Sequence, residues 1–118
     1  MSQPEELRER TKLFAIRIVR LFRALPKSTE AQVLGKQLLR CGTSVAANYR
    51  AVCRARSKAE FIARVGIVAE EADESVLWLE LLEETNILSR TKLQEISREA
   101  RELSAIFSAS QKTARGNA

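Results

Sequence analysis

A chain of 118 residues with 20 Lys and Arg against 15 Asp and Glu has a net charge of +5 and contains no histidine. The missing histidine removes the commonest general base at neutral pH and the commonest metal ligand. The length fits one domain, 1–118, which buries about two-thirds of its unfolded-chain surface and needs no metal or disulfide staple.

Four S/T-x-x-E/Q signatures, beginning at Ser2, Thr29, Ser57 and Thr91, have the form of a capping box, in which a hydroxyl takes an unpaired first-turn amide and the Glu or Gln reaches back. Four starts predict four helices. The first runs from Pro4 to Leu25 and is stopped by Pro26, with Leu7, Thr11, Phe14, Ile18, Leu21 and Leu25 in alternating steps of four and three, the spacing of a bundle seam. The second spans Glu30 to Cys53, with Leu34, Leu38, Cys41, Val45, Asn48 and Val52 on its seam. An Asn among apolar residues must find hydrogen-bond partners and can fix register, so Asn48 reads as structural. Gly42 costs about 1 kcal/mol of helix propensity, and with Ala46 it offers a strip for close helix approach, so it too reads as structural. The third helix follows Ser57 to Thr85. The fourth covers Thr91 to Ser110 with Leu93, Ile96, Ala100, Leu103 and Phe107 inward, and residues 111–118 read as a frayed tail. No strand-like alternation and no long linker interrupt the pattern. The expected fold is all-α, an antiparallel up-down-up-down four-helix bundle.

The third helix has more apolar surface than one core can use. Phe61, Ile62, Val65, Val68, Ala69, Ala72, Val76 and Leu79 form one broad stripe, while Ile67, Trp78, Leu81 and Leu82 lie around from it, in a second series that places Glu71 and Glu74 in its middle. An apolar surface centred on Trp marks an interface; the alternative is that Trp78 covers the bundle end beside "ETNILS". Residues 1–60 hold 13 Lys and Arg against 5 acids, and residues 61–118 hold 7 against 10. Complementary faces of identical subunits would use this asymmetry, with Arg17 and Arg20, flanked by Arg10 and Arg23, meeting Glu71 and Glu74 of a neighbour. Such head-to-tail contact closes into a ring rather than a two-fold dimer.

The acidic run Glu70, Glu71, Asp73 and Glu74 does not make a di-metal bundle site, which uses Glu-x-x-His pairs on facing helices. Cys41 and Cys53, without a C-x-x-C spacing, read as reduced core thiols rather than as a zinc or redox site. Phosphate-cradling glycine loops and the G-x-S-x-G elbow are also missing, so the reading is that of a non-enzyme without cofactor or metal. No apolar run approaches the roughly 20 residues of a membrane span, and "MSQPEELRER" lacks a secretory apolar segment; a cytoplasmic protein is expected. On the second helix, Lys36, Thr43, Arg50 and Arg54 fall within a narrow outer stripe that Arg56 and Lys58 extend across the next turn, and its cations, with Arg40, are suited to contact phosphate backbone. Without interleaved aromatics, RNA or DNA would be held with little base readout. The competing reading gives these cations to helix-dipole stabilisation, solubility or neighbouring subunits.

The segment from Leu38 to Leu88, with "SVAAN" at 44–48, "RARSKAEF" at 54–61 and "EADESVLWLELL" at 71–82, resembles the bacterial four-helix-bundle family that includes proteins encoded in intervening sequences of 23S ribosomal RNA genes. Phe14 to Leu25 fits that family's first helix. Tyr49-Arg50 departs from the family pattern of an aliphatic residue followed by Ala or Glu. The resemblance implies an antiparallel bundle and, by kinship with accessory proteins of diversity-generating retroelements, a basic pentameric ring that binds nucleic acid and a reverse transcriptase. It implies no catalytic residues. A scaffold ring that binds no nucleic acid is the alternative function.

Overall fold

A computed structural model describes residues 2–116 of the chain. Its four helices are α1 (Gln3–Arg23), α2 (Thr29–Cys53), α3 (Lys58–Glu84) and α4 (Arg90–Gly116). Each packs on the next in sequence, and α4 returns to α1 to close an antiparallel four-helix bundle measuring 47 × 25 × 22 Å. The closing α1–α4 contact is the sparsest of the four.

Two helix starts lie where the capping signatures put them, and two are displaced. The Ser2 hydroxyl accepts from the Glu5 amide and that of Ser57 from the Glu60 amide. The α2 cap is Ser28 rather than Thr29, and α4 begins at Arg90, with the Ser89 hydroxyl accepting from Lys92 N–H at 3.3 Å. A second hydroxyl residue, one position away at Ser28–Thr29 and two away at Ser89–Thr91, competes for the cap at each site. The α3 C-terminus is closed by Asn86 at φ 61°, with Ile87 N–H donating to Leu82 O and Asn86 N–H to Glu83 O. This is the Schellman pairing, and Asn is among the few side chains that tolerate its left-handed position.

The core follows the expected seams, with Leu82 added from α3 and one exchange on α2. Phe14, Ile18, Leu38, Cys41, Val45, Val68, Leu79, Leu93, Leu103 and Phe107 are buried, but Tyr49 rather than Asn48 fills the next α2 position. A step of four from Val45 serves the seam as well as a step of three. The Tyr49 ring packs on Phe107 across the core, with centroids 5.3 Å apart, whereas the amide has no apolar surface to bury. Asn48 sits half-buried on α2, where Nδ2 donates to Ser44 O at 2.9 Å.

Gly42 faces α1: a Cβ there would lie 2.8 Å from Ile18 Cγ1, and one at Gly35 would collide with Leu25. Cys41 is buried and Cys53 exposed, so only the first is a core thiol. The helix expected to fray after Ser110 continues to Gly116, and Gln111 Nε2 donates to Ile62 O at 3.2 Å; residues 117 and 118 of that expected tail lie outside the described residues. Among the described residues no group of acids and cysteines is placed to hold a metal ion, and no helix is long and apolar enough to cross a membrane.

Candidate nucleic-acid interface

The antiparallel α1–α2 hairpin brings the N-terminal turns of α1 beside the C-terminal turns of α2, and the short connection to α3 leaves that helix's first turns at the same end. Between α1 and α2 this creates an open groove of about 630 Å³ lined by Glu5, Arg8, Glu9, Lys12, Arg50, Cys53 and Arg54. Around the α2–α3 turn lies a depression of about 320 Å³ lined by Ala51, Arg54, Arg56, Glu60 and Arg64. Arg54 lines both, so the cations form one band. It comprises Arg8 and Lys12 of α1, Arg50 and Arg54 of α2, Arg56 of the turn and Arg64 of α3.

Three carboxylates, Glu5, Glu9 and Glu60, line the same concavities as these six cations. Glu60 is occupied: Oε1 accepts from Arg64 Nε at 2.8 Å and Oε2 from the Arg56 amide at 3.2 Å. These bonds, that of Arg64 first, hold its carboxyl below the usual range. The Arg64 head is thereby positioned while it stays exposed to solvent.

Of the stripe read from α2 alone, Arg50, Arg54 and Arg56 belong to this band, and Lys58 is exposed as the first residue of α3. Lys36 is exposed but stands about 27 Å of helix axis from Arg54, near the other end. Arg40 turns to α3, where its guanidinium meets Glu71 at 3.3 Å and also binds Glu74. Arg8, Lys12 and Arg64 were missed because a wheel drawn for one helix cannot see its neighbours. The hairpin register could have found the first two: Arg8 and Lys12 face Arg54 and Arg50 in nearly the register that sets Ile18 against Gly42.

The surface expected around Trp78 is also rearranged. The indole is half-buried against the chain's own core, and its N–H donates to Glu74 at 3.1 Å. Leu82 is fully buried and drops out of any external face, Leu81 is half-buried and Ile67 exposed. The cation for Glu71 and Glu74 is Arg40 of the same chain. Arg17 points to Glu95 of α4 at 3.9 Å, and Arg10 forks onto Glu99 with two bonds of 2.8 Å and reaches Glu102. Arg20 is exposed.

The model of the 23S rRNA-intervening sequence protein family matches residues 5–109. The chain belongs to that family. A similar solved structure, from a Bacteroides thetaiotaomicron protein of unknown function in the S23 ribosomal protein family, shares 35% sequence identity with this family member. The two superpose with a TM-score of 0.83 over 90% of this chain and 98% of the other. No curated protein matches the chain. Neither the family's description nor the neighbour's names a catalytic activity.

Proposed function

We propose that this family member is a non-enzymatic, homo-oligomeric accessory protein that holds nucleic acid through phosphate contacts at the basic end of its bundle. The observation that carries the reading is the convergence of six cations from α1, α2, the α2–α3 turn and α3 on two connected concavities. Three consecutive elements supply one continuous band, wide enough to follow a backbone rather than a single anion. No Trp or Phe lines either concavity, which supports contact with phosphate and little discrimination among bases. The family's name, which ties it to 23S rRNA intervening sequences, makes RNA the first nucleic acid to test. By its likeness to retroelement accessory proteins, the assembly is a pentameric ring with a reverse transcriptase as a further partner. Arg40 joins the contact only by exchanging its carboxylates for phosphate.

The test is fluorescence anisotropy of a labelled single-stranded RNA, and of a DNA duplex, titrated at several salt concentrations. Wild-type affinity falls steeply with salt, and an Arg50→Gln/Arg54→Gln variant loses about 1.4 from the single-strand log–log slope, roughly 0.7 for each phosphate contact removed. Binding that is absent, or unchanged in the variant, rejects the reading. A second reading, a scaffold ring that binds no nucleic acid, is favoured by the apolar side chains that α1 and α3 leave exposed; it predicts assembly without any RNA or DNA affinity.

A further inference from the structure

Acid and base are segregated across the groove between α1 and α2, and the segregation follows from the α1 sequence. Glu5, Arg8, Glu9 and Lys12 supply that helix's share of the lining. At about 100° per residue, Arg8 stands about 90° round from the buried line of Thr11, Phe14 and Ile18 and Lys12 about 130°, whereas Glu5 stands about 150° and Glu9 about 190°. Arg8 and Lys12 lie on the side where Ile18 and Phe22 meet the glycines of α2. The cations of α1 therefore line the floor and inner wall, and its two carboxylates form the outer rim. Tyr49 gives a second sign of this placement: burial and Cys53 raise the pKa of its phenol while the charge of Arg8 opposes the rise, so the guanidinium lies toward the floor.

The α2 wall has no such rim. Arg50 and Arg54 line it without a carboxylate, and Arg54 leads on to the second depression, where Glu60 is taken up by Arg64 and the Arg56 amide. Glu5 and Glu9 form no ion pair with Arg8, Lys12, Arg50 or Arg54 among the described residues. Glu5 accepts from the Ser2 hydroxyl at 3.0 Å, and both glutamates are exposed. Their charge is not cancelled within the groove, and a polyanion approaching from the α1 side meets it first.

We infer that the Glu5–Glu9 rim makes the groove select single-stranded nucleic acid over duplex. The inference names the substrate class of the site described above and rests on that reading of it. Packed helices lie about 8–10 Å apart, axis to axis, so the furrow between α1 and α2 admits one flexible strand. A duplex is wider than that: the major groove of B-form DNA alone spans about 12 Å. Laid across the furrow, a duplex rests on both walls and sets its phosphates against Glu5 and Glu9 before any of them reaches Arg8. Shifted toward the α2–α3 turn, it escapes the carboxylates but gives up Arg8 and Lys12. A single strand descends past the rim and stays within reach of the whole band. Discrimination thus comes from a repulsive element set against the wrong ligand, not from an added contact with the right one.

The test uses the full chain at low salt and one labelled DNA strand, free or annealed to its complement, with binding read by fluorescence anisotropy. Wild type binds the free strand about tenfold more tightly than the duplex, the scale of two surface charges. Glu5→Gln/Glu9→Gln recovers most of that factor for the duplex and changes affinity for the strand by less than about twofold. Arg8→Gln weakens binding of the strand and leaves the duplex as it was. A mere change in net charge would move both ligands alike, so the split between them is the signature of the rim. All three side chains are exposed, and circular dichroism checks that the variants keep wild-type helicity. Should Glu5→Gln loosen the first turn, Glu9→Gln alone, which leaves the Ser2–Glu5 bond in place, shows the gain for the duplex. Equal affinity of wild type for strand and duplex, an equal gain for both in the glutamate variants, or an equal loss for both in Arg8→Gln overturns this inference while the phosphate-binding reading stands. Absence of binding to either ligand overturns both.

Discussion

Tyr49 joins the core to the basic groove. Its ring is buried against Phe107, and Cys53, one turn on, lines the groove floor. Burial first, and Cys53 beside it, push the phenol up to about 12. Below pH 10 the phenol is protonated in both the folded and the unfolded chain. Between pH 10 and 12 the unfolded chain releases the proton first, so the folded state holds more protons and stability falls as pH rises. Tyr49 is the only tyrosine, which makes the ultraviolet absorbance of the phenolate a report on this site alone. The expected folded-state midpoint is about 12, and wild type should lose stability relative to Tyr49→Phe across that window. A midpoint near the ordinary value of 10 in the folded protein would refute the packed ring. Asn48, beside it, shows a residue meeting its need locally: a carbonyl four residues back satisfies the amide, so the side chain requires no second helix.

Two buried glycines look alike in sequence and differ in the structure. At Gly42 an added methyl would lie 2.8–3.3 Å from Cγ1, Cγ2 and Cβ of Ile18, a β-branched side chain with little rotamer freedom on its helix. The clash is with a rigid part of α1, so the helices must separate. Gly42→Ala should destabilise the bundle by about 1–2 kcal/mol, overpacking outweighing the roughly 1 kcal/mol gained in helix propensity. At Gly66 the obstacle is the amide end of Gln111, which can swing away at the loss of one hydrogen bond to Ile62 O. Gly66→Ala should be within about 0.5 kcal/mol of wild type, the propensity gain offsetting that bond. Urea denaturation of the two variants checks the contrast. Equal effects would mean that α1 and α2 are not in the close contact described. The periodicity of each helix was readable because one apolar stripe per element repeats at 3.6 residues. Whether a glycine faces a stiff or a flexible neighbour depends on register between helices and is not written in either helix alone.

For the whole molecule, the charge asymmetry between the halves of the chain acquires a structural use. The ion pairs that Arg10, Arg17 and Arg40 make between helices each run from an arginine of α1 or α2 to a glutamate of α3 or α4. Antiparallel packing with α4 back against α1 puts the basic half in contact with the acidic half along two edges. The α1–α4 edge is sparsely packed and has its firmest polar link at Arg10, whose guanidinium is held charged chiefly by its hydrogen bonds to Glu99, with pKa raised further above its ordinary value. Because the side chain is about one-third exposed, solvent screening keeps the contribution small. Arg10→Ala should cost about 1 kcal/mol, or about 4 °C in Tm, with a smaller difference at high salt. A variant with unchanged thermal stability at low salt would show that the apolar seam alone closes the bundle.

Helix number, approximate bounds, antiparallel order and most of the core follow from local information: cap hydroxyls, Pro26, and apolar spacing act within a few residues of themselves, and short connections leave few topologies open. The choice of partner for each charge could not be read in that way, because a guanidinium reaches whichever carboxylate the packing brings near. Packing took Arg40 for Glu71 and Glu74, buried Leu82, half-buried Trp78, and joined Arg8, Lys12 and Arg64 to the basic turns of α2. A linear pattern records which residues are charged or apolar; only the three-dimensional arrangement decides which of them have already been satisfied within the chain and which are left for another molecule.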